Sequence, residues 1–352
     1  MLKSCVFIRS IVLPHGLTEI GENAFLDCVN LENVVIPETV TKIGHGAFAN
    51  SGLKSIILPD GLTEIGENAF DTCRNLENII IPDSVTKIGP GAFTWSRLKS
   101  IILPYQSKGL TEIGERVFNS CFNLETVVIP ETVTKIGPFA FWNSGLKSII
   151  LPDGGRLTEI GECAFHDCRN LETIVIPETI TKISHYAFRY SGLKSIILPH
   201  GLTEIGNSSF CSCHNLENIV IPETVTKIGP GAFAGAGLKS IILSHGLTEI
   251  EKEVFCYCKN LETVVIPETV TKIGPFAFWN SGLKSIILPH GLTEIGEKAF
   301  YMCRNLESVI IPETVTKIGS DAFSKSGLKS IILPDGLTEI GKDAFYNCRK
   351  IE

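Results

Sequence analysis

The chain has 352 residues, of which 44% are hydrophobic and 20% charged, and its formal net charge is −7 at pH 7. So much apolar material excludes a disordered chain, and no run approaches the ~18 uncharged apolar residues of a membrane-spanning helix. The mild acidity gives no support to nucleic-acid binding. The apolar start from Cys5 to Leu13 is interrupted by Arg9 and lacks a small-residue cleavage site, so we expect no secretion signal there.

A repeat of 22 to 26 residues fills residues 8–350 in fifteen copies that alternate between two types. Residues 1–7 then form a partial leading repeat, and residues 351–352 begin a truncated one, as in a piece of a longer array. The segments 124–152 and 261–289 are identical, which indicates recent duplication. The repeats begin at Ile8, Leu31, Leu53, Leu76, Leu98, Leu124, Leu146, Leu171, Leu193, Leu216, Leu238, Leu261, Leu283, Leu306 and Leu328.

Each repeat opens on six residues in which Leu, Ile and Val surround a polar pair, and this pattern predicts a β-strand. Proline follows in fourteen of the fifteen repeats, with Ser244 as the exception, and it ends the strand because it cannot donate to the ladder. A glycine such as Gly61 then allows a turn, and Leu62–Ile65 is predicted as a second short strand. The Ala-Phe segment that follows predicts one helical or 3₁₀ turn, since nothing here is long enough for an ordinary helix.

A repeat of this length cannot bury its apolar face alone, so we expect the repeats to stack and their strands to pair in parallel. We call each layer of such a stack a rung. Phe occupies the same place in every repeat, from Phe25 to Phe345. These rings are predicted to form a spine through the core.

The pattern I-P-x-x-V-x-x-I-G-x-x-A-F, as in Ile81–Phe93, resembles the BspA-like leucine-rich-repeat family over about residues 8–350. The resemblance implies a repeat solenoid, a right-handed coil with a parallel β-sheet on one face and short turns or 3₁₀ segments opposite. Members of the family are often surface or secreted proteins that bind host or matrix proteins, so the resemblance implies such a location. The cysteines, expected to be mostly unpaired, leave a cytoplasmic location open.

The second position of each first strand alternates in sign along the repeats, from Arg9 and Glu32 to Lys329. The residue after the turn threonine alternates in the opposite phase, from Glu19 to Glu339. Opposite charges should thus lie one rung apart, where each pair attracts weakly, by about 0.2–1 kcal/mol. The alternation has two possible origins: it makes the repeats compatible in the stack and is inherited from a two-repeat ancestor, or it patterns the charge of a binding face. The two can coexist. No basic stripe runs along either column, which argues against a nucleic-acid partner.

The fifth strand position is Val or Ile in all fifteen repeats and should face away from the core, because successive side chains of a strand point to opposite faces. This hydrophobic stripe runs beside a stripe of Ser, Asn and Thr and beside the charged column. Two interpretations of the stripe stay open. It is a surface for a partner or for self-association, larger than an ordinary apolar patch, or it only reflects the preference of β-branched residues for strands, where they pack on cross-strand neighbours. The candidate protein-binding face comprises Lys147, Ile150, Glu172, Val175, Lys194, Ile197, Glu217, Val220, Lys239 and Ile242.

Eight of the twelve cysteines share one repeat position, which holds Ser or Ala in the other repeats, and this exchange predicts a tight buried slot. Equivalent positions two rungs apart are about 10 Å apart, too far for a disulfide. The same distance is too large for one zinc centre that would join Cys211 and Cys213 to Cys256 and Cys258. The shared position comprises Cys28, Cys73, Cys121, Cys168, Cys213, Cys258, Cys303 and Cys348.

No enzyme or cofactor motif is present, so we predict no catalytic residue, no metal and no cofactor. The sequence predicts a non-enzymatic leucine-rich-repeat module that binds a protein partner or self-associates, without nucleic acid or membrane insertion. Two alternatives stay open: a structural spacer whose surfaces only stack, and a recognition fragment of a larger protein whose effector domain lies elsewhere. Trp95, Trp142 and Trp279 interrupt the repeat beside the Phe spine, where they pack at its edge or offer a ring to a ligand.

Overall fold

A computed structural model describes residue 5, residues 7–104 and residues 109–348. The chain divides into two compact units, Met1–Thr179 and Ile180–Glu352. Most of the predicted leading repeat, the insertion at residues 105–108 and the truncated last repeat lie outside the described residues.

The first strand of a repeat spans three residues, because the proline that follows it ends the ladder. Its middle side chain points into the core and its outer two are exposed. In the first unit these strands are Ser10–Val12, Asn33–Val35, Asn78–Ile80, Ser100–Ile102, Thr126–Val128, Ser148–Ile150 and Thr173–Val175. In the second unit they are Ser195–Ile197, Ser240–Ile242, Thr263–Val265, Ser308–Ile310 and Ser330–Ile332.

These strands pair in parallel and in register, so that Ile79 lies opposite Ile101 and Ile80 opposite Ile102. These strands form several short sheets, and we call the set of these strands in each unit, with the gaps between them, the front sheet. The prediction of a strand in every repeat is wrong at three places, because residues 55–57, 218–220 and 285–287 are not in strands. Among the described residues, no backbone hydrogen bond joins these three segments to a neighbouring rung.

A second strand of two residues follows the proline turn, as predicted, but it is shorter than expected: Glu64–Ile65 in place of Leu62–Ile65. These strands also pair in parallel, with Lys87 opposite Glu64. In the first unit they are Glu19–Ile20, Lys42–Ile43, Glu64–Ile65, Lys87–Ile88, Glu112–Ile113, Lys135–Ile136 and Glu159–Ile160. In the second unit they are Lys182–Ile183, Glu204–Ile205, Lys227–Ile228, Glu249–Ile250, Lys272–Ile273, Glu294–Ile295, Lys317–Ile318 and Glu339–Ile340.

The Ala-Phe segment is an arc of consecutive turns, and the predicted helical or 3₁₀ turn is not found there. Asn23 and Asp27 flank Ala24 and Phe25 with φ angles of +53° and +60°, which a right-handed helix does not allow. Hydrogen bonds that close these turns, such as Ala24 N–H to Gly21 O at 3.3 Å, alternate with bonds to the next rung. Asn and Asp tolerate this left-handed conformation better than most residues, which explains their frequency in the arcs.

The Phe spine is confirmed within each unit. Neighbouring rings such as Phe70 and Phe93 stack with their centroids 5.4 Å apart and their planes 1° from parallel. Phe70, Phe141 and Phe278 are among the thirteen fully buried Phe side chains of the described core. Truncation of a buried Phe costs about 3–5 kcal/mol, so the spine contributes strongly to the stability of each unit.

Candidate functional site

The Val/Ile stripe lies on the outer face of the front sheet. The exposed fraction of its side chains runs from 47% at Val128 to 86% at Ile57. The inward neighbours Val127 and Ile56 are buried, at 2% and 8% exposure. Alternation along the strand therefore separates an apolar core face from an apolar outer face. Burial of such exposed β-branched side chains by a partner would be favourable, at roughly 25 cal/mol per Å² of apolar surface removed from water.

The charged column beside the stripe forms ion pairs between rungs. Lys147 Nζ lies 2.9 Å from Glu125, and Lys99 Nζ lies 2.8 Å from Glu77. In the second unit, Lys239 Nζ lies 2.5 Å from Glu217. In all of these pairs the lysine meets the glutamate of the preceding rung, as the alternating sequence predicts.

The second column also forms ion pairs, and here one glutamate can serve two lysines. Glu204 lies 3.1 Å from Lys182 and 3.3 Å from Lys227. Partial burial acts to raise the pKa of Glu204. The hydrogen bonds and charges of the two lysines outweigh this effect and hold the pKa of Glu204 below its usual value. Glu64 is held between Lys87 at 2.8 Å and Lys42 at 3.7 Å. Most carboxylates of both columns are thus neutralised within the stack.

The ten residues of the candidate face are distributed over both units. In the first unit, Ile150 and Val175 are 61% and 60% exposed, and Lys147 is engaged with Glu125. In the second unit, Ile197, Val220 and Ile242 are 61%, 83% and 64% exposed, and Lys239 is engaged with Glu217. Glu172 and Lys194 are also exposed.

Three grooves open on the front sheet where the strands are interrupted, and the sequence analysis missed them. A groove of about 550 Å³ surrounds Val220 and reaches Ile196 and Ile242. Two smaller grooves, of about 360 and 290 Å³, lie at Ile57 and at Ile287. These three residues are the most exposed of the stripe. No local signal marks them, because Ser-Ile-Ile at residues 55–57 is also the sequence of the paired strand Ser100–Ile102.

The shared cysteine position is buried for seven of its eight members, and Cys348 is half-buried, as the predicted tight slot requires. Cys121 Sγ lies 3.3 Å from Ser96 Oγ and donates to Phe93 O at 3.1 Å. Burial raises the pKa of the Cys121 thiol to about 12 and that of Cys168 to about 12 as well. These thiols are inert core groups at neutral pH, since the thiolate is the reactive form.

Among residues 7–104 and 109–348, no His, Cys, Asp and Glu side chains converge on one point in a number that could hold a metal ion. The same part of the chain contains no apolar helix of membrane-spanning length. What the front sheet offers chemically is apolar contact area, hydroxyl and amide groups, and charges that are already paired.

The comparisons with known proteins agree with the repeat architecture. The family described as "BspA type leucine rich repeat region (6 copies)" matches residues 1–110, 111–239 and 226–352. No protein of curated function matches the chain.

Several solved structures are similar to the chain. A leucine-rich repeat protein from Bacteroides ovatus is 28% identical, with a TM-score of 0.65, over 98% of this chain and 78% of that one. A leucine-rich repeat protein from Eubacterium ventriosum is 25% identical, with a TM-score of 0.56, over 85% and 86% of the two chains. The pneumococcal vaccine antigen PcpA is 20% identical, with a TM-score of 0.53, over 97% and 91%, which shows the fold alone.

Proposed function

The chain belongs to the family of BspA-type leucine-rich repeat proteins, and on that premise we propose that it is a non-enzymatic module that binds a protein partner through its front sheet. Folds of this kind are typical of protein-interaction modules. The residues that we assign to the binding face are Lys147, Ile150, Glu172 and Val175 in the first unit, and Lys194, Ile197, Glu217, Val220, Lys239 and Ile242 in the second.

The observation that carries the proposal is the exposed Val/Ile stripe. Ile197, Val220 and Ile242 are each more than 60% exposed on successive rungs of the second unit. Contiguous apolar surface of this kind is uncommon on monomers and marks interaction sites. The paired lysines and glutamates of the charged column beside the stripe leave little net charge on this face, so we assign affinity to the stripe and partner selection to the charged column.

A surface or adhesin-like role is the finer form of the proposal, in which the partner is a host or matrix protein. The resemblance stated above supports it. A self-association surface is the second candidate, because one apolar face can also cover that of another copy of the chain.

The test replaces Ile197, Val220 and Ile242 together with Thr, which keeps the β-branch and the strand preference. The matched control is the triple change of Ser195, Asn218 and Ser240 to Ala, which alters the same rungs at outward polar positions. Binding to immobilised matrix proteins is measured by interferometry and self-association by sedimentation. We expect the Thr variant to bind at least about tenfold more weakly, with an unchanged melting temperature, and the control to bind like the wild type.

The other outcomes separate the alternatives. A wild-type chain that neither binds nor self-associates supports a structural spacer. A recognition fragment would bind normally and show its effect only when joined to an effector domain. A large loss of melting temperature in the Thr variant would contradict the assignment of the stripe to the outer face.

A further inference from the structure

A cavity of about 440 Å³ lies on the arcs of the second unit, apart from the front sheet. Its floor is the run Ala234-Gly235-Ala236-Gly237, which follows the spine residue Phe233. Its walls come from the rungs on either side, with Cys211 and His214 on one and Tyr257 and Lys259 on the other. The volume lies within the ~300–1,000 Å³ that is usual for ligand sites. We call this cavity the arc pocket.

Other repeats fill the corresponding place with their own aromatic ring. In seven repeats the first or second residue after the spine Phe is aromatic: Trp95, Trp142, Tyr190, Tyr257, Trp279, Tyr301 and Tyr346. Each of the tryptophans reaches a ring on an adjacent rung, as Trp95 does with Phe122 at 5.3 Å between centroids. The repeat that begins at Leu216 has Ala234 and Gly235 at both places and so lacks the ring.

The walls of the arc pocket present the partners that such a ring has elsewhere in the fold. Tyr257 packs against Trp279 on its far side, at 4.9 Å between centroids, and is 45% exposed. Lys259 Nζ lies 5.6 Å from the centre of the Tyr257 ring. His214 is held in place through its Nδ1, which lies 2.9 Å from Gly235 O and donates to it. Rings and a cation at these positions stabilise an inserted aromatic side chain through edge-to-face and cation–π contacts.

The charge of the arc pocket selects among aromatic segments. Its lining contains Lys259 and His214 but no Asp or Glu. A segment with carboxylates next to its aromatic residue would place negative charge near the Lys259 ammonium group, and a basic segment would be repelled.

We propose that the arc pocket binds the tryptophan or tyrosine side chain of a partner protein segment in which acidic residues flank that aromatic residue. The ring replaces the one that the repeat at Leu216 lacks, and Lys259 engages the flanking carboxylates. The site is separate from the front sheet, so either proposal can fail without the other.

The test measures the fluorescence anisotropy of labelled pentapeptides that differ in one feature each. The reference peptide has a central tryptophan flanked by two aspartates on each side. One comparison peptide has alanine at its centre, and another has lysines in place of the aspartates. We expect the reference peptide to bind at least about tenfold more tightly than either comparison peptide, since each lacks one of the two contacts.

The deciding variant is Ala234→Trp, which fills the arc pocket with the residue that Trp142 and Trp279 provide at the same repeat position. The matched control is Ala49→Trp, at the equivalent place of the repeat that begins at Leu31. We expect Ala234→Trp to weaken the reference peptide by about tenfold or more, with native circular dichroism, and Ala49→Trp to leave its affinity unchanged.

Three results would overturn the proposal: no binding of the reference peptide up to about 1 mM, equal binding of the alanine-centred peptide, or unchanged affinity in a folded Ala234→Trp variant. If that variant fails to fold, Lys259→Gln decides. It should weaken the aspartate-flanked peptide several-fold and reduce the dependence of its affinity on salt. Unchanged affinity in Lys259→Gln would also overturn the proposal.

Discussion

One repeat position holds Ser and Cys alternately in most of the repeats, and it determines the surroundings of the buried thiols. Ser96 and Cys121 lie on adjacent rungs, and the carbonyl of Phe93 accepts the Cys121 thiol hydrogen. The slot thus takes a small side chain that can satisfy a spine carbonyl. Because the protonated thiol is the donor, the fold favours that form.

We predict that Cys121 and Cys168 resist alkylation in the native protein at pH 8, since burial raises the pKa of each thiol to about 12. The two half-buried cysteines, Cys211 and Cys348, should be labelled first. Mass spectrometry after iodoacetamide treatment measures the order, and protein in guanidinium is the control in which all thiols react. Rapid native labelling of Cys121 would show that the spine opens easily.

The same pKa values fix the sign of a pH effect. Each folded thiol has a pKa of about 12 against an ordinary value of 9.0. The thiols therefore contribute stability that is fully present below about pH 9 and is lost as the pH rises toward 12.

The two-residue strands are stabilised by charge as well as by backbone pairing. Glu204 is 22% exposed and lies between two lysines, whereas Glu249 in the same column is more exposed. An ion pair that is partly shielded from water on both sides is screened less than a fully exposed pair.

We predict that Glu204→Gln lowers the free energy of unfolding by about 0.5–1 kcal/mol at pH 7. Because the folded pKa of Glu204 is lowered, its contribution is present above the unfolded pKa and is lost as the pH falls through the folded value. Denaturant unfolding from pH 7 to pH 3 should therefore show the variant and the wild type converge. Glu249→Gln is the control and should change stability less; an equal loss at both sites would argue against the role of the two lysines.

The periodicity of the sequence predicts the strands and the Phe spine because each depends on a few residues that recur in every repeat. The strands follow from the alternation of apolar and polar residues, and the spine follows from a Phe that recurs once per repeat. The predicted turns opposite the front sheet are found as arcs and not as 3₁₀ segments, although arcs and 3₁₀ turns both close hydrogen bonds between residues three apart. The signal against a helix was the frequency of Asn, Asp and Gly at two places around the Phe, as at Asn23 and Asp27.

Interruptions of the front sheet depend on the surroundings of a segment. Residues 261–289 have the same sequence as residues 124–152, yet Ser148–Ile150 is a strand and residues 285–287 are not. Trp142 Nε1 donates to His166 Nδ1 at 2.8 Å, whereas the buried Nε1 of Trp279 has no hydrogen-bond partner. Sequence reasoning within one repeat cannot distinguish identical copies; only their neighbours do.

We predict that amide hydrogen exchange separates these copies. Intrinsic exchange rates are equal in the two identical segments, so any difference reports pairing in the fold. Amides of residues 285–287 should exchange at least about tenfold faster than those of Ser148–Ile150, because backbone pairing protects only the latter. Proteolytic peptides that extend past Pro152 and Pro289, where the sequences diverge, can be told apart by mass. Equal rates would mean that the groove at Ile287 closes in solution.

The arcs have a direction. In both units, the amides of alternate arc residues donate to the carbonyls of the next rung toward the C-terminus, as Phe25 does to Ala47 and Phe188 does to Ser209. The peptide dipoles on this side of the stack are therefore aligned, as in a helix but with the donor end toward the C-terminus. A rung added on that side must bring carbonyls to the arc, and a rung added on the other side must bring amides. Two such stacks can therefore join through their arcs only if the C-terminal end of one meets the N-terminal end of the other. Two ends of the same kind would bring amides against amides or carbonyls against carbonyls, which leaves these groups without hydrogen-bond partners.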